Sequence, residues 1–318
     1  MSLKKIIKAI KENSKFLITS HINLEADALG SELAMAKLLK DEKKQVVIVN
    51  EDKVPKEYLF LPGRREIKQP KGNFDFDVFV VLDCSDLNRC GKVKDLFIED
   101  KLILNIDHHR ANKRFGQINW LEPDTSSCCE MIYKLYKALN KPIKRDIAIL
   151  LYTGILTDTG SFHYPNTTGF THKAISELLQ FKLPISDIYH RIYESIPYSD
   201  VKLIPPILSS LKKDASGSIF YLTIDKKTLK RKKSHYDLTE NILNFVRSIR
   251  KANLVILFKE INSKEVRVNL RSKEGFDVAR LARAFGGGGH RTAAGCTINR
   301  ELEVAKNLVL KKARELLR

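Results

Sequence analysis

Two apolar runs with metal-binding side chains directly behind them decide the fold. The first is VFVVL at 78–82, which is followed by DCSD at 83–86, and the second is LILNI at 102–106, which is followed by DHH at 107–109. A continuous apolar run without polar alternation is typical of a strand buried on both faces of a parallel sheet. Similar runs occur earlier, at 16–19 and 46–49.

Helical patterns separate these runs and follow them. They lie at about 28–39, 131–139 and 147–155. Strands that alternate with helices are typical of an α/β fold with a parallel sheet. We therefore predict such a fold for residues 1–185.

The pattern changes after residue 185. Prolines at 197, 205 and 206 make the next stretch irregular, and we predict a helical linker at 186–210. Residues 211–318 then predict a smaller α/β domain with a mixed sheet. Its expected strands are 218–224, 254–260 and 265–270, and its expected helices are 277–285 and 301–317.

Composition restricts the class of protein. Apolar residues make up 43% of the chain, which is enough for folded cores. No apolar run approaches the about 20 residues of a membrane span, and the start lacks the apolar region of a secretory signal. The five cysteines form no C-x-x-C pair, so we predict neither a disulfide framework nor a zinc knuckle. We predict a soluble, cytoplasmic protein that does not engage a membrane.

The net charge of +18 is unevenly distributed. Residues 1–200 contain 30 basic and 27 acidic side chains, whereas residues 201–318 contain 26 and 11. Solvated lysine-rich helices would explain the excess in the second part, and so would a partner that carries phosphates.

Four apolar segments of the first half are followed by side chains that can bind metals. These follow-on stretches are 21–27 (HINLEAD), 83–86, 107–109 and 157–160 (TDTG). Because ligands of an open α/β sheet gather at the carboxyl ends of its strands, we expect the four to converge. Any one aspartate could instead cap a helix, but four in register favour a metal site. The mixture of carboxylates and imidazoles favours Mn²⁺ or a similar ion over Ca²⁺. Two such ions about 3.5–4 Å apart can clamp a phosphoryl displacement.

The segment NIDHHRAN at 105–112 resembles the signature of the DHH phosphoesterase superfamily. The segments at 21–31, 81–91 and 154–162 resemble that family's other motifs. VNLRSK at 268–273 and FGGGGHRTAAGC at 285–296 resemble its C-terminal substrate-binding domain, so the resemblance spans about residues 10–300. One departure is Leu24-Glu25, where the family has Pro-Asp. The longer Glu25 either reaches the first metal from a shifted backbone or leaves that site weaker.

The resemblance implies two Mn²⁺ ions per subunit, with Mg²⁺ or Co²⁺ as alternatives. The implied ligands of one ion are His21, Glu25 and Asp83, and those of the other are Asp27, Asp83, His108 and Asp158. The resemblance further implies that Asp107 orients His108, and that His109 contacts the scissile phosphate or assists proton transfer.

A tract of four glycines at 286–289 marks the second half. Four glycines cost conformational entropy, and close approach of backbone N–H groups to an anion is one reason to keep them, whereas a flexible hinge is another. No Gly-Lys-Ser/Thr closes the tract, so it is not a nucleoside triphosphate loop. The resemblance implies a substrate-binding set that comprises Arg89, Arg271, Ser272, Gly287, Gly288, Gly289 and His290. Arg271 can grip a phosphate through two hydrogen bonds.

The nearest subgroup comprises oligoribonucleases that also dephosphorylate 3′-phosphoadenosine 5′-phosphate. The resemblance thus implies a phosphodiesterase that cuts very short RNA or DNA oligonucleotides, or dinucleotides such as pApA, into 5′-mononucleotides, and acts as a homodimer. Hydrolysis of cyclic di-AMP is an alternative that the motifs do not separate from this activity. A nucleotide-binding sensor with an inactive centre is another alternative. A longer single-strand exonuclease is disfavoured because this chain lacks room for an added nucleic-acid domain. An inorganic pyrophosphatase of this superfamily is disfavoured because that group lacks the glycine loop.

Overall fold

The computed structural model describes residues 2–97, 101–232, 238–273, 275–289 and 291–317. It divides into two compact units, Met1–Ile192 and Tyr193–Arg318. The predicted linker, 186–210, contains all but the first residue of the helix Ile185–Tyr193 and two further short helices.

The first unit is built on a sheet of six parallel strands. The strands are β1 Lys15–Thr19, β2 Gln45–Val49, β3 Ile67–Lys68, β4 Val78–Leu82, β5 Leu102–Asp107 and β6 Ile118–Leu121. Their order is β3-β2-β1-β4-β5-β6, so β1, β4 and β5 lie next to one another in the middle. The prediction of a parallel α/β sheet is confirmed, and the two edge strands β3 and β6 are additions to it. All five residues of β4 are buried, as its unbroken apolar sequence predicts.

Six helices accompany this sheet: α1 Ser2–Glu12, α2 Ala26–Asp41, α3 Cys128–Ala138, α4 Arg145–Asp158, α5 Gly169–Leu179 and α6 Ile185–Tyr193. Short 3₁₀ segments lie at Lys56–Tyr58, Arg64–Glu66 and Leu87–Leu96.

Helices α2 and α4 approach each other closely, and glycines make this possible. A β carbon at Gly30 of α2 would lie 2.6 Å from the carbonyl oxygen of Leu150 in α4. A β carbon at Gly154 of α4 would lie 3.0 Å from the Cα of Asp27 in α2. Both distances are shorter than a normal van der Waals contact. The two glycines therefore set the distance between the helices.

The second unit contains a mixed sheet, as predicted. Its strands are β7 Lys212–Lys213, β8 Ile219–Ile224, β9 Leu254–Asn262, β10 Glu265–Ser272, β11 Gly288–Gly289 and β12 Ala293–Ile298. Their order is β11-β12-β10-β9-β8-β7; β8 and β9 are parallel and the other pairs are antiparallel. The helices are α7 Tyr198–Val201, α8 Ile204–Ser209, α9 Lys226–Arg231, α10 Thr239–Arg247, α11 Val278–Arg283 and α12 Leu302–Leu317. Among the described helices of either unit, none is both long enough and apolar enough to cross a membrane.

Candidate metal centre

Asp83 occupies the turn directly after β4, with an unusual backbone conformation. Its φ of 52° is left-handed, a region that aspartate tolerates better than most residues do. The N–H of Asp83 donates to the carbonyl oxygen of Ile106 in β5, 3.0 Å away. The turn is therefore fixed to the neighbouring strand, and the buried Asp83 carboxylate lies beside the residues that follow β5.

His108 lies at the centre of the predicted ligands. Its Nε2 is 3.4 Å from Asp83 Oδ1, 3.5 Å from Asp158 Oδ2 and 3.8 Å from Asp27 Oδ2. Its other ring nitrogen, Nδ1, is 3.3 Å from the carbonyl oxygen of Thr125. That carbonyl can accept the Nδ1 proton, which leaves Nε2 facing the three carboxylates. The structure thus brings together four of the predicted ligands.

The N-terminus of α3 holds the Asp27 carboxylate. The N–H of Cys128 donates to Asp27 Oδ2 at 2.7 Å, and the N–H of Cys129 donates to Oδ1 at 2.8 Å. These are first-turn donors that have no partner within their own helix. They bind both oxygens of the Asp27 carboxylate, so α3 fixes the orientation of a side chain that belongs to α2.

Asp158 is the last residue of α4 and reaches the same cluster. Burial raises the pKa of Asp158 well above its usual value, against the attraction of His108. Burial, and then the Asp83 carboxylate, raise the pKa of Asp27 to about 6. Burial alone would raise the pKa of Asp83 too, but the neighbouring imidazoles of His108 and His21 hold it well below its usual value. Without a cation, burial of the three carboxylates together therefore favours the protonated forms of Asp158 and Asp27.

His21 approaches Asp83 from the end of β1. Its Nε2 lies 3.5 Å from Asp83 Oδ2, and its Nδ1 lies 2.7 Å from the carbonyl oxygen of Ile22. Burial would lower the pKa of His21, but the Asp83 carboxylate outweighs this effect and raises it to about 9. Arg89 is half-buried and near enough to His21 to act on that pKa in the lowering direction.

Glu25 is the one predicted metal ligand whose side chain is exposed. It is exposed, occupies the N-cap of α2 without a side-chain cap, and belongs to neither of the two compact groups that could hold an ion. Those groups are Asp27–His108–Asp158 and Asp83–His108–His109, in each of which the ligand atoms lie within 4.8 Å of one another. The charge of Glu25 still raises the pKa values of His21 and Asp158, so its carboxylate is close to the cluster.

Asp107 is hydrogen-bonded to His109, whereas the expected partner was His108. Asp107 Oδ1 lies 2.6 Å from His109 Nδ1, and Asp107 Oδ2 accepts from Asn112 Nδ2 at 2.6 Å. Residues i and i+2 of an extended segment share a side, which explains why Asp107 meets His109. Burial alone would raise the pKa of Asp107, but the charge and hydrogen bond of His109 lower it. Nδ1 of His109 is therefore held by Asp107.

The residues present fit a metal ion. Asp83 Oδ1 is buried and, within the described residues, accepts no hydrogen bond that meets ordinary geometry. The separations of 3.4–3.8 Å around His108 exceed a hydrogen-bond length of about 2.7–3.2 Å. They approach the about 3.0–3.5 Å expected between two atoms bound to one ion at about 2.1 Å. Three carboxylates with imidazole nitrogens are ligands suited to Mn²⁺ and related ions.

Sequence reasoning missed several groups that support the ligands. The backbone of 128–129 and the carbonyl of Thr125 carry no side-chain signal, so only the fold reveals them. Glu32 is different because an acidic residue on an otherwise apolar helix stretch is a visible anomaly. It is fully buried, accepts a hydrogen bond from Asn50 Nδ2 at 2.8 Å, and burial raises its pKa to about 7. Asn50 Oδ1 in turn accepts from the N–H of Ser20, the residue before His21.

In the second unit, Arg271 is engaged by an acidic side chain. Its Nε lies 3.3 Å from Glu240 Oε2 on α10, and its Nη2 contacts the other oxygen. Ser272 is buried, and its hydroxyl donates to the carbonyl oxygen of Phe276 at 2.7 Å. A substrate contact by Ser272 would therefore have to use its backbone. His290 lies outside the described residues.

The glycine tract packs tightly at Gly287 and Gly289 and is open at Gly286 and Gly288. A β carbon at Gly287 would lie 2.2 Å from the carbonyl oxygen of Gly295 in β12, and Gly289 has a φ of 135°. Gly288 has no neighbour within 4 Å of such a carbon. The absence of side chains at Gly287 and Gly289 thus has a structural cause, the close approach to β12, whereas Gly286 and Gly288 have open space around them.

Comparison with known proteins places the chain in a family. Residues 15–155 match the N-terminal domain of the DHH family, and residues 216–318 match the DHHA1 domain. The chain is 28% identical to the bifunctional oligoribonuclease and PAP phosphatase NrnA of Thermus thermophilus, over 98% of this chain and 92% of that one. It is also 28% identical to the protein of the same name from Bacillus subtilis, over 92% of both chains.

A solved structure covers both units. An exopolyphosphatase-related protein from Bacteroides fragilis is 25% identical, with a TM-score of 0.89 over 99% of this chain and 96% of its own. Together with the two domain matches and the converging DHH motifs, these likenesses identify the chain. It belongs to the DHH phosphoesterase superfamily of metal-dependent phosphoesterases, in the NrnA-like subgroup.

Proposed function

We propose that this protein is an Mn²⁺-dependent phosphodiesterase that hydrolyses very short oligonucleotides to 5′-mononucleotides. The observation that carries the proposal is the convergence of Asp27, Asp83 and Asp158 on His108 in a buried cluster. The names of the NrnA relatives supply the substrate class, and 3′-phosphoadenosine 5′-phosphate is a second expected substrate. We further propose that the protein works in the cytoplasm as a homodimer.

Asp27, Asp83, His108 and Asp158 would hold one ion, and Asp83 with His21 and Glu25 would contribute to a second. A bound divalent cation supplies positive charge for the phosphoryl oxygens and lowers the pKa of water. Mg²⁺ and Co²⁺ are the alternatives to Mn²⁺ for this donor set.

His109 is the proposed proton donor to the leaving oxygen. Its Nδ1 is held at 2.6 Å by Asp107, and we assign the proton transfer to its Nε2. Asp107 orients the His109 imidazole, and Asn112 holds Asp107 in place. Substrate phosphates would be bound by Arg89 and Arg271, with the backbone of Gly288 as an N–H donor.

The test is a turnover assay with and without Mn²⁺ on pApA, 3′-phosphoadenosine 5′-phosphate, cyclic di-AMP and a five-nucleotide RNA. We expect Mn²⁺-dependent release of 5′-mononucleotides from pApA and the RNA. Asp83→Asn and Asp158→Asn should abolish it in a folded chain. Asp146→Asn is the matched control, because Asp146 lies at the opposite end of α4 and pairs with Lys37. Hydrolysis of cyclic di-AMP alone would replace the proposal with that activity, and tight binding without turnover would indicate a sensor.

A further inference from the structure

Strand β2 lies beside β1 in the sheet, yet no predicted metal ligand follows it. Three polar residues follow it instead, Asn50, Glu51 and Asp52. Because parallel strands bring their carboxyl ends to one edge of the sheet, these residues lie beside the segment that follows β1. We call Asn50–Asp52 the β2 clamp, and we call residues 20–23 the His21 loop.

The β2 clamp holds the His21 loop on both sides of its histidine. On one side, Asn50 Oδ1 accepts from the N–H of Ser20 at 3.4 Å. On the other side, Asp52 Oδ2 accepts from the N–H of Asn23 at 2.5 Å. Two side chains of the clamp thus fix the backbone that carries a predicted ligand.

The orientation of the His21 ring depends on the backbone of this loop. His21 Nδ1 lies 2.7 Å from the carbonyl oxygen of Ile22, and His21 Nε2 lies 3.5 Å from Asp83 Oδ2. Because the ring is bonded to a carbonyl of its own loop, it turns with that loop. A shift of the His21 loop therefore moves Nε2 relative to Asp83.

Glu32 of α2 fixes the orientation of the Asn50 amide. Asn50 Nδ2 donates to Glu32 Oε2 at 2.8 Å, and both residues are buried. An amide has donors on its nitrogen and an acceptor on its oxygen, so turning Nδ2 toward Glu32 turns Oδ1 toward Ser20. The backbone N–H of Asn50 donates to the carbonyl oxygen of Lys68 at 2.9 Å, which ties the clamp to β3.

Glu51 holds a second loop, the one that follows β4 and contains Arg89. Glu51 Oε2 accepts from the N–H of Lys92 at 2.6 Å. A β carbon at Gly91 would lie 1.8 Å from the same oxygen, and the φ of 59° and ψ of −139° at Gly91 suit glycine. The carbonyl oxygen of Arg89 accepts from the N–H of Ile22 at 2.7 Å, so the two loops are also bonded to each other.

We propose that the β2 clamp positions one side of the metal centre. Asn50 and Asp52 are positioning residues that set the affinity of the ion held with His21, and Glu51 sets the placement of Arg89. This inference rests on the proposed metal-dependent function. The clamp acts through backbone N–H groups of the two loops, so none of its residues is a catalytic residue.

The clamp should act on one ion and leave the other unchanged. The carboxylate of Asp27 is held by the N-terminus of α3, and Asp158 is the last residue of α4. These ligands of the other ion are positioned by elements that do not include β2. A loosened His21 loop should therefore weaken one binding event selectively.

The test measures Mn²⁺ binding to the metal-free full chain through the EPR signal of the free ion, so that affinity is obtained without turnover. His21→Ala identifies the binding event that depends on the His21 loop. Asn50→Ala and Asp52→Ala should weaken that same event by about 10-fold and leave the other event unchanged. Because Asn50 is buried and its variant could unfold, the half-buried Asp52 supplies the second test, and urea unfolding checks both.

Two further variants separate the hydrogen bond from the charge. Asp52→Asn keeps an acceptor for the N–H of Asn23 but removes the negative charge, and it should bind Mn²⁺ as the wild type does. Glu66→Ala is the matched control, since it removes a carboxylate that lies between β2 and β3 and pairs with Lys40. It should leave both binding events unchanged.

The role of Glu51 is tested through the substrate. Glu51→Ala should raise KM for pApA by about 10-fold while both Mn²⁺ affinities stay at the wild-type level, because the Arg89 loop loses its support. Glu51→Gln keeps an acceptor for the N–H of Lys92 and should restore KM. A raised KM that glutamine does not restore would overturn this part of the inference.

Wild-type Mn²⁺ affinities in folded Asn50→Ala and Asp52→Ala variants would overturn the inference. So would binding in Asp52→Asn that is as weak as in Asp52→Ala, since charge would then be the cause, or binding of fewer than two ions by the wild type. The proposed function is judged separately, by Mn²⁺-dependent hydrolysis of pApA and of bis(p-nitrophenyl) phosphate. Hydrolysis with unaffected clamp variants rejects only the inference, whereas the expected binding shifts without hydrolysis reject only the function.

Discussion

Replacing Gly154 by alanine should displace a metal ligand from a position outside the cluster. The added β carbon would lie 2.3 Å from Cys129 Sγ and 2.9 Å from Asp27 Oδ1, as well as 3.0 Å from Asp27 Cα. Carbon atoms in contact normally lie about 3.5–4.0 Å apart. The Cys129 thiol can turn aside, but the Asp27 backbone can retreat only if α2 shifts by about 0.5–1 Å.

The expected size of the effect follows from this shift. Overpacking costs about 1–3 kcal/mol, against which alanine recovers about 1 kcal/mol of helix propensity. The net loss of stability should therefore be at most about 2 kcal/mol, and the chain should stay folded. A misplacement of about 1 Å in a catalytic group can cost about 100-fold in rate. We expect kcat/KM to fall by about 10- to 100-fold, with weaker Mn²⁺ binding.

The assay combines urea unfolding, Mn²⁺ titration and hydrolysis of bis(p-nitrophenyl) phosphate. Gly169→Ala is the matched control, since Gly169 begins α5 and has no neighbour within 4 Å of an added β carbon. Adding Cys129→Ala to the Gly154 variant removes the 2.3 Å contact but leaves the contact with Asp27. Activity should then stay low while stability recovers in part. A folded Gly154 variant with wild-type Mn²⁺ affinity and turnover would refute the idea that helix spacing positions Asp27.

Three other predictions concern proton transfer, the substrate arginine and the second unit. His109→Ala should slow hydrolysis of a dinucleotide far more than that of bis(p-nitrophenyl) phosphate, because nitrophenolate leaves without a proton; equal losses would exclude His109 as the acid. Arg271→Ala should raise KM and Glu240→Gln should lower it, because Glu240 competes for the guanidinium; an unchanged KM in both would contradict a substrate role for Arg271. Asp214→Ala should destabilise the chain by about 1–3 kcal/mol in urea unfolding, since Ser216 and Arg314 lose their acceptor. Burial would raise the pKa of Asp214, but the hydrogen bonds from Ser216 and Arg314 lower it. The extra stability of the wild type over Asp214→Ala should therefore be complete above about pH 5 and shrink as the pH falls through the native pKa. A stability difference that grows toward low pH would be contrary evidence.

The inner strands and most of the cluster could be predicted because buried positions require apolar residues. A strand covered on both faces must be apolar throughout, so β4 and β5 are visible as runs, and polar residues at their ends stand out. Edge strands show no such unbroken apolar run. β6 is only Ile118–Leu121, and β12 contains two alanines and a glycine, residues that are depleted in strands. Their pairing is decided by neighbours that are distant in sequence.

The sequence predicted which residues form the site better than it predicted which of their side chains bond to one another. Whether Asp107 meets His108 or His109 depends on the path of two residues after β5, and a family motif does not resolve it. The reason for the glycine tract lies in β12, where Gly295 accepts the close approach of Gly287. The pairing of Arg271 with Glu240 joins a strand to a helix about thirty residues earlier, and charge patterning alone gives no sign of it.

The cluster draws on distant parts of the first unit, from His21 after β1 to Asp158 at the end of α4. During synthesis the N-terminal strands emerge first, and for a long interval the growing chain holds His21 and Asp83 without α4. The donors at 128–129 that fix Asp27 also arrive late. A nascent chain shorter than 158 residues therefore lacks one of the clustered carboxylates, and the cluster is complete only after α4 has been synthesised.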